Sequence, residues 1–205
     1  MVHASELMRY EHELMAQGCR YICGVDEVGR GPLAGPVTCA AVIMPLDDLI
    51  EGVNDSKKVA KKKRERLAEL IKEKAVAYCV ASYDNRKIDE MNILAATKAC
   101  MAEAVAGLAV TPDVVIVDAL TLDIPVRTFG IVHGDAQSYS IAAASILAKV
   151  ERDAYMTGMD EVYPGYGFSS NAGYGTAAHI AALKELGPTP IHRRTFIGHF
   201  VDADE

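Results

Sequence analysis

The sequence predicts an α/β fold, a mixed central β-sheet flanked by helices, and three observations carry it. Short apolar runs alternate with longer helical stretches, the pattern of a sheet covered by helices. Residues 114–117, Val-Val-Ile-Val, are apolar without interruption, as a strand buried on both faces must be. Residues 142–145, Ala-Ala-Ala-Ser, are small enough to let a helix lie close on that sheet.

In chain order, residues 6–16 form a short helix within an N-terminal helical extension, residues 1–18, of one domain spanning 1–205. Residues 21–25 and 36–44 are β-like runs split by a Gly-rich turn. Residues 61–74 are a charged helix with Leu67, Leu70 and Ile71 on one face. A strand over 76–82 follows, then an Ala-rich helix over 93–108 and the buried strand over 114–117. The small-residue helix covers 140–156, and a last helix covers 176–186. Pro112-Asp113 and Gly187-Pro188 mark element boundaries.

Composition narrows the function. Of 205 residues half are apolar and 24% are charged, a balance that excludes a disordered chain and a disulfide-stapled miniprotein. The five Cys (Cys19, Cys23, Cys39, Cys79, Cys100) are odd in number and form no C-x-x-C pair, so they read as buried apolar residues of a reduced, cytoplasmic protein. No apolar run approaches the ~18 to 20 residues of a membrane span, and the first residues lack the basic and apolar regions of a signal peptide. Lys and Arg number 21 against 28 Asp and Glu, a net charge of -7, which argues against a protein that simply coats nucleic acid.

Three carboxylates stand at the carboxyl ends of expected core strands: Asp26 and Glu27 after residues 21–25, and Asp118 after 114–117. That edge is where open α/β sheets bind ligands. Each taken singly reads equally as a turn or helix cap; as a set they repel unless a cation neutralises them, and an all-oxygen set suits Mg²⁺ or Mn²⁺. Asp135, before the small-residue helix, reads either as a fourth ligand or as a helix N-terminal charge. Residues 24–36 are dense in Gly yet match neither a Walker loop nor a dinucleotide fingerprint. They form either a tight turn or a loop whose backbone can approach a ligand closely.

Taken together, Asp26-Glu27-Val28-Gly29-Arg30-Gly31, Asp55-Ser56-Lys57-Lys58, Asp118, Gly134-Asp135 leading into residues 140–149, Tyr163-Pro164-Gly165-Tyr166-Gly167-Phe168, Gly173-Tyr174-Gly175-Thr176 and residues 187–193 resemble the ribonuclease HII family. The resemblance runs in order from about residue 20 to 196. It implies a ribonuclease H-like fold and a monomer that cuts the RNA strand of RNA–DNA hybrids. It further implies cutting on the 5′ side of single ribonucleotides in duplex DNA, leaving a 3′-hydroxyl and a 5′-phosphate. The family's four carboxylates fall on Asp26, Glu27, Asp118 and Asp135, as ligands of two divalent ions, Mg²⁺ or Mn²⁺. It implies that Gly29, Arg30 and Gly31 offer main-chain hydrogen bonds around the ribonucleotide, and that Tyr174 reaches its 2′-hydroxyl. Read without the family, a Tyr in a Gly-rich loop is more often a packing residue.

Lys57 and Lys58 are candidates for phosphate contact, whereas residues 61–66 read mostly as a solvated charged face; His192-Arg193-Arg194 form a second basic group. Three positions depart from the family pattern: Ala119 stands where Gly is usual, and His133 and Ala172 where Lys is common. Two rivals remain: a metal-dependent phosphatase or exonuclease on a related fold, and an inactive relative that binds hybrids without cutting.

Overall fold

The computed structural model describes residues 3–201. After a 3₁₀ turn at Ala4–Leu7 come helix α1 (Arg9–Ala16) and strands β1 (Ile22–Val28) and β2 (Val37–Ile43). A second 3₁₀ turn, Ser56–Lys58, precedes α2 (Lys61–Lys74), β3 (Ala77–Tyr83), α3 (Asn85–Met91) and α4 (Ile93–Ala106). Then follow β4 (Val114–Asp118), β5 (Thr128–Ile131), a 3₁₀ turn at Gly134–Ala136 and the long helix α5 (Tyr139–Val162). Three shorter helices complete the chain: α6 (Phe168–Asn171), α7 (Ala177–Leu186) and α8 (Arg194–Ile197).

The sheet has the order β3-β2-β1-β4-β5. β2 is antiparallel to both β1 and β3, whereas β4 runs parallel to β1 and β5 parallel to β4. The sheet is therefore mixed, as expected, with β1 at its centre. Alternate residues of β2 serve different layers, as strand geometry requires. Cys39 and Ala41 pack with Ala96, Cys100 and Ala104 of α4, while Ala40 and Val42 pack with Leu67 and Ile71 of α2 and Ala143 and Leu147 of α5. Leu70, placed on the same α2 face by the sequence, is only partly buried.

The small residues of α5 act as foreseen. Its first ten residues, 139–148, are all buried, and the helix lies so close to β1 that a Cβ on Gly24 would collide with the Ser140 carbonyl. Only Gly fits there. The start of α5 is capped twice: the Ser138 hydroxyl accepts from the Ile141 N–H (3.2 Å), and the buried Glu11 carboxylate of α1 accepts from the Ser140 N–H (2.9 Å) and the Ser138 hydroxyl (2.6 Å). Cys23, Cys39 and Cys100 are buried and Cys19 and Cys79 half-buried, all as free thiols.

Candidate active site

β1 extends three residues beyond the apolar run that marked it, so Asp26 and Glu27 lie inside the strand rather than after it. Asp118 is the last residue of β4, the parallel neighbour of β1. Consecutive strand residues leave a sheet on opposite faces. Asp26 accordingly turns toward α5, on the side of Ser145, and Glu27 takes the other side. Asp26 is 5% exposed. Burial first, then the charges of Glu27 and Asp118, push its carboxyl well above the ordinary carboxylate range. Burial also raises Glu27, against the opposing pull of Arg30, whose Nη1 lies 3.4 Å from Glu27 Oε1. Glu27 Oε2 is buried and has no hydrogen-bond partner.

Asp135 sits in the 3₁₀ turn before α5, buried, beside Asp55 and Asp118. Burial and those two charges raise its carboxyl. The turn is fixed from two directions. Asp118 Oδ1 accepts from the Gly134 N–H at 2.6 Å, and the Ser138 N–H bonds back to the Gly134 carbonyl at 2.8 Å. The four carboxylates thus converge on one sheet edge, two from β1, one from β4 and one from the turn. Among the described residues no three His, Cys, Asp or Glu groups close into a ready cage for an ion, which accords with Asp26 and Glu27 starting from opposite faces.

Lys57 is exposed but stands among these charges. Partial burial is the largest single influence and lowers its ammonium, but Asp135, Asp55, Asp26 and Asp118 together outweigh it and hold the ammonium above the usual range. Lys58 turns to Asp55 at 3.7 Å, 63% exposed. Asp55 and Ser145 were not singled out from the sequence as site residues. Asp55 caps the Ser56–Lys58 turn, accepting from the Lys57 N–H (2.9 Å), and the Ser56 and Ser145 hydroxyls meet at 2.8 Å. The Asp-Ser-Lys-Lys motif was the available signal.

Residues 29–36 link the carboxylates to Tyr174. Gly29 adopts φ +94°, a conformation that favours Gly, and a Cβ there would strike Arg152 Nε. The loop is held by two arginines, both fully buried. Arg193 donates to the carbonyls of Gly29 (2.5 Å), Arg30 (2.9 Å) and Gly35 (3.0 Å). Arg152 donates to those of Ala34 (3.1 Å), Pro36 (2.8 Å) and Ala172 (2.9 Å). Burial and their mutual repulsion push the Arg193 guanidinium below its usual range. With their carbonyls drawn inward, the Arg30 and Gly31 segment lies at the surface. Tyr174 is 43% exposed, and its ring carbon Cε1 is 3.6 Å from where a Gly31 Cβ would stand. Gly31 and Tyr174, 143 positions apart in the chain, are thereby adjacent.

Two basic groups depart from expectation. His192 and Arg193 are buried rather than presented to solvent, leaving only Arg194 of that trio exposed. Arg64, in the helix read as a solvated face, is also buried; it donates to the Ser56 carbonyl at 2.7 Å and approaches Asp153 at 3.4 Å, fastening the Asp55 turn to α5. Ala119, His133 and Ala172 all have positive φ, at 52°, 54° and 51°.

A mixed sheet of this order with acidic residues at the ends of its central parallel strands defines a ribonuclease H-like fold. Ribonuclease H2 from Pyrococcus horikoshii OT3 matches it with a TM-score of 0.73 at 27% identity, over 86% of this chain and 93% of that one. Bst-RNase HIII, solved in complex with Mn²⁺, matches at 0.60 over 81% and 61% of the two chains; at 21% identity that likeness speaks for the fold alone. Residues 23–199 match the profile of the ribonuclease HII family. Ribonuclease HII of Shouchella clausii (strain KSM-K16) is 53% identical over 191 residues, 93% of this chain and 74% of that protein. The chain belongs to the ribonuclease HII family and is an endoribonuclease.

Proposed function

We propose that the chain is a divalent-metal-dependent nuclease of the cytoplasm that cuts the RNA strand of RNA–DNA hybrids and the 5′ side of a single ribonucleotide in duplex DNA, leaving a 3′-hydroxyl and a 5′-phosphate. The observation that carries this reading is the gathering of Asp26, Glu27, Asp118 and Asp135 at one sheet edge beside the loop 29–31 and Tyr174. Every residue it uses comes from one chain, so a monomer suffices.

The donor set fits hard divalent ions: all-oxygen, mutually repelling, and with the buried Glu27 Oε2 lacking a partner. Asp26, Glu27, Asp118 and Asp135 would hold Mg²⁺ or Mn²⁺. Two such ions supply activation of a water and stabilisation of the leaving oxygen in phosphodiester hydrolysis. The chain's own residues do the rest. Exposed Arg30 and Gly31 offer main-chain donors to the ribonucleotide, and Tyr174 beside Gly31 offers a hydroxyl to the 2′-hydroxyl, the group that tells RNA from DNA. Lys57, held charged by its acidic neighbours, stands ready for a phosphate, with Lys58 as an outer contact.

The test is a labelled DNA duplex with one ribonucleotide, incubated with Mg²⁺, with Mn²⁺ or with chelator. Cleavage 5′ of the ribonucleotide that chelation abolishes is the expected result. Asp26→Asn or Asp118→Asn should lower it more than about a hundredfold, since even partners of metal ligands account for 10–100-fold, with the circular-dichroism spectrum unchanged. Wild-type turnover in either variant overturns the metal assignment.

A further inference from the structure

We propose that His179 and His192 form a directed hydrogen-bond pair that positions Tyr174 for the ribonucleotide, an inference that rests on the reading of Tyr174 given above.

The two imidazoles are nearly inaccessible, 0% and 1% exposed. Their Nε2 atoms are 3.1 Å apart. At one end the Thr189 N–H, which can only donate, reaches His192 Nδ1 at 2.9 Å. A neutral His192 therefore carries its proton on Nε2 and donates to His179 Nε2. At the other end His179 Nδ1 is 2.9 Å from the Tyr174 carbonyl, which can only accept. A neutral His179 therefore carries its proton on Nδ1, leaving Nε2 free to accept. Both ends independently require the same arrangement, one proton per ring. An added proton on His179 Nε2 would set N–H against N–H between the rings.

The surroundings keep the pair neutral. The rings sit against Tyr166 and Phe168, with Phe168 edge-on to His179 at a centroid distance of 5.3 Å. Burial, foremost, lowers both imidazoles, and His192 is pushed down to about 4. The Tyr174 carbonyl is also taken by the Thr176 N–H at 2.8 Å, so both its lone pairs are engaged. The backbone of Tyr174 is fixed although its ring is exposed.

The neighbour of His192 explains why the tether starts where it does. Arg193 holds the carbonyls of Gly29 and Arg30, so one short segment, residues 189–193, fixes both the loop expected to embrace the ribonucleotide and the tyrosine expected to read it. Their separation is what a reader of one 2′-hydroxyl must keep constant.

Amide variants separate the proton path from packing. Asn carries its N–H₂ where His carries Nδ1, so His179→Asn keeps a donor to the Tyr174 carbonyl; His179→Gln carries it where Nε2 lies and loses that donor. With full-length protein and Mg²⁺, kcat/KM is measured on a duplex holding one ribonucleotide and on a long RNA–DNA hybrid. His179→Gln should lower the ratio of the first to the second about tenfold, the equivalent of one hydrogen bond of ~1.4 kcal/mol, while His179→Asn stays within about threefold of wild type. Equal ratios for the two variants, with Tyr174→Ala lowering the ratio, would overturn the positioning role alone. An unchanged ratio in Tyr174→Ala would overturn the reading of Tyr174 and the pair's role with it. Long-range ¹H–¹⁵N spectra of the unmutated protein give an answer that needs no variant to fold. Protons on His179 Nδ1 and His192 Nε2 are expected; a proton on His179 Nε2 contradicts the proposal.

Discussion

Ala119 follows Asp118 directly and sits at φ 52°, its N–H donating to the Ile131 carbonyl at 3.0 Å. An L-residue in that conformation loses about 1–2 kcal/mol relative to the right-handed region, a penalty Gly avoids. Gly in turn costs about 0.4–1 kcal/mol through the freer unfolded chain. Ala119→Gly should therefore stabilise by about 0.5–1 kcal/mol and raise the calorimetric midpoint by roughly 1–4 °C. A lowered midpoint would mean that neighbouring contacts, not the backbone conformation, decide the residue here. The strain was foreseeable, because a residue other than Gly after a strand-end carboxylate departs from the family pattern. That His133 and Ala172 share the conformation was not, since neither was singled out for its backbone.

At the scale of elements, what the sequence revealed depended on whether burial leaves an apolar signature. α4 buries one face at helical spacing, β2 and the start of α5 are buried without a break, and all three were legible. α3 buries only Ile88 and is defined by polar caps, the Asp84 side chain accepting from the Lys87 N–H and Asn92 beginning the next helix. β5 is four residues at the sheet edge, one of them Gly. The carboxylates at strand ends were readable because a charge interrupts an apolar run. The burial of Arg152 and Arg193 was not, because their acceptors are backbone carbonyls, which every residue has. α7 contributes a prediction through the His179–His192 contact. With His192 near 4 folded and near 6.5 unfolded, the unfolded chain binds an extra proton between those values, so stability must fall as pH drops through that window. Tyr166, Phe168 and His179 face the ring, and the two charges that press on it, first His179 and then Arg194, act in the same sense as its burial. The expected contribution is about 2–4 kcal/mol at 1.36 per pH unit. Asp26, Glu27 and Asp135 act oppositely, their raised carboxyls favouring the fold as pH falls, so the quantity to measure is the difference in urea stability between wild type and His192→Gln from pH 7 to pH 4. A difference that does not change with pH would mean that His192 is protonated in the fold.

For the whole molecule the question is how a chain of net charge -7 holds a polyanion. The burial of Arg64, Arg152 and Arg193 sharpens it, since three of the 21 basic side chains are spent inside. What remains near the site is Arg30, Lys57 and Lys58, on a surface where the family's usual lysines are replaced by the exposed His133 and half-buried Ala172. Each phosphate neutralised by a lysine steepens the fall of log K with log salt by about 0.9. His133→Lys with Ala172→Lys, in an Asp118→Asn background, should therefore tighten duplex binding at low salt and steepen the slope by up to about 2, with single changes between. Titrations across a salt series decide it, and an unmoved slope would mean that neither position faces phosphate.

The arginine clamp has a consequence in time as well as in space. Residues 29–36 belong almost wholly to no helix or strand, and such segments ordinarily open and close far more often than the molecule unfolds. Here the Leu33 N–H is bonded to the Gly173 carbonyl (2.8 Å) and the Gly35 N–H to that of Ile191 (2.9 Å), inside a shell closed by Arg152 and Arg193. In deuterated water these two amides should exchange as slowly as those of β1, on the schedule of global unfolding, while the amides of residues 120–126 exchange early. The segment expected to meet the substrate would then be one of the slowest clocks in the protein, and equal exchange in the two loops would show that the clamp opens on its own.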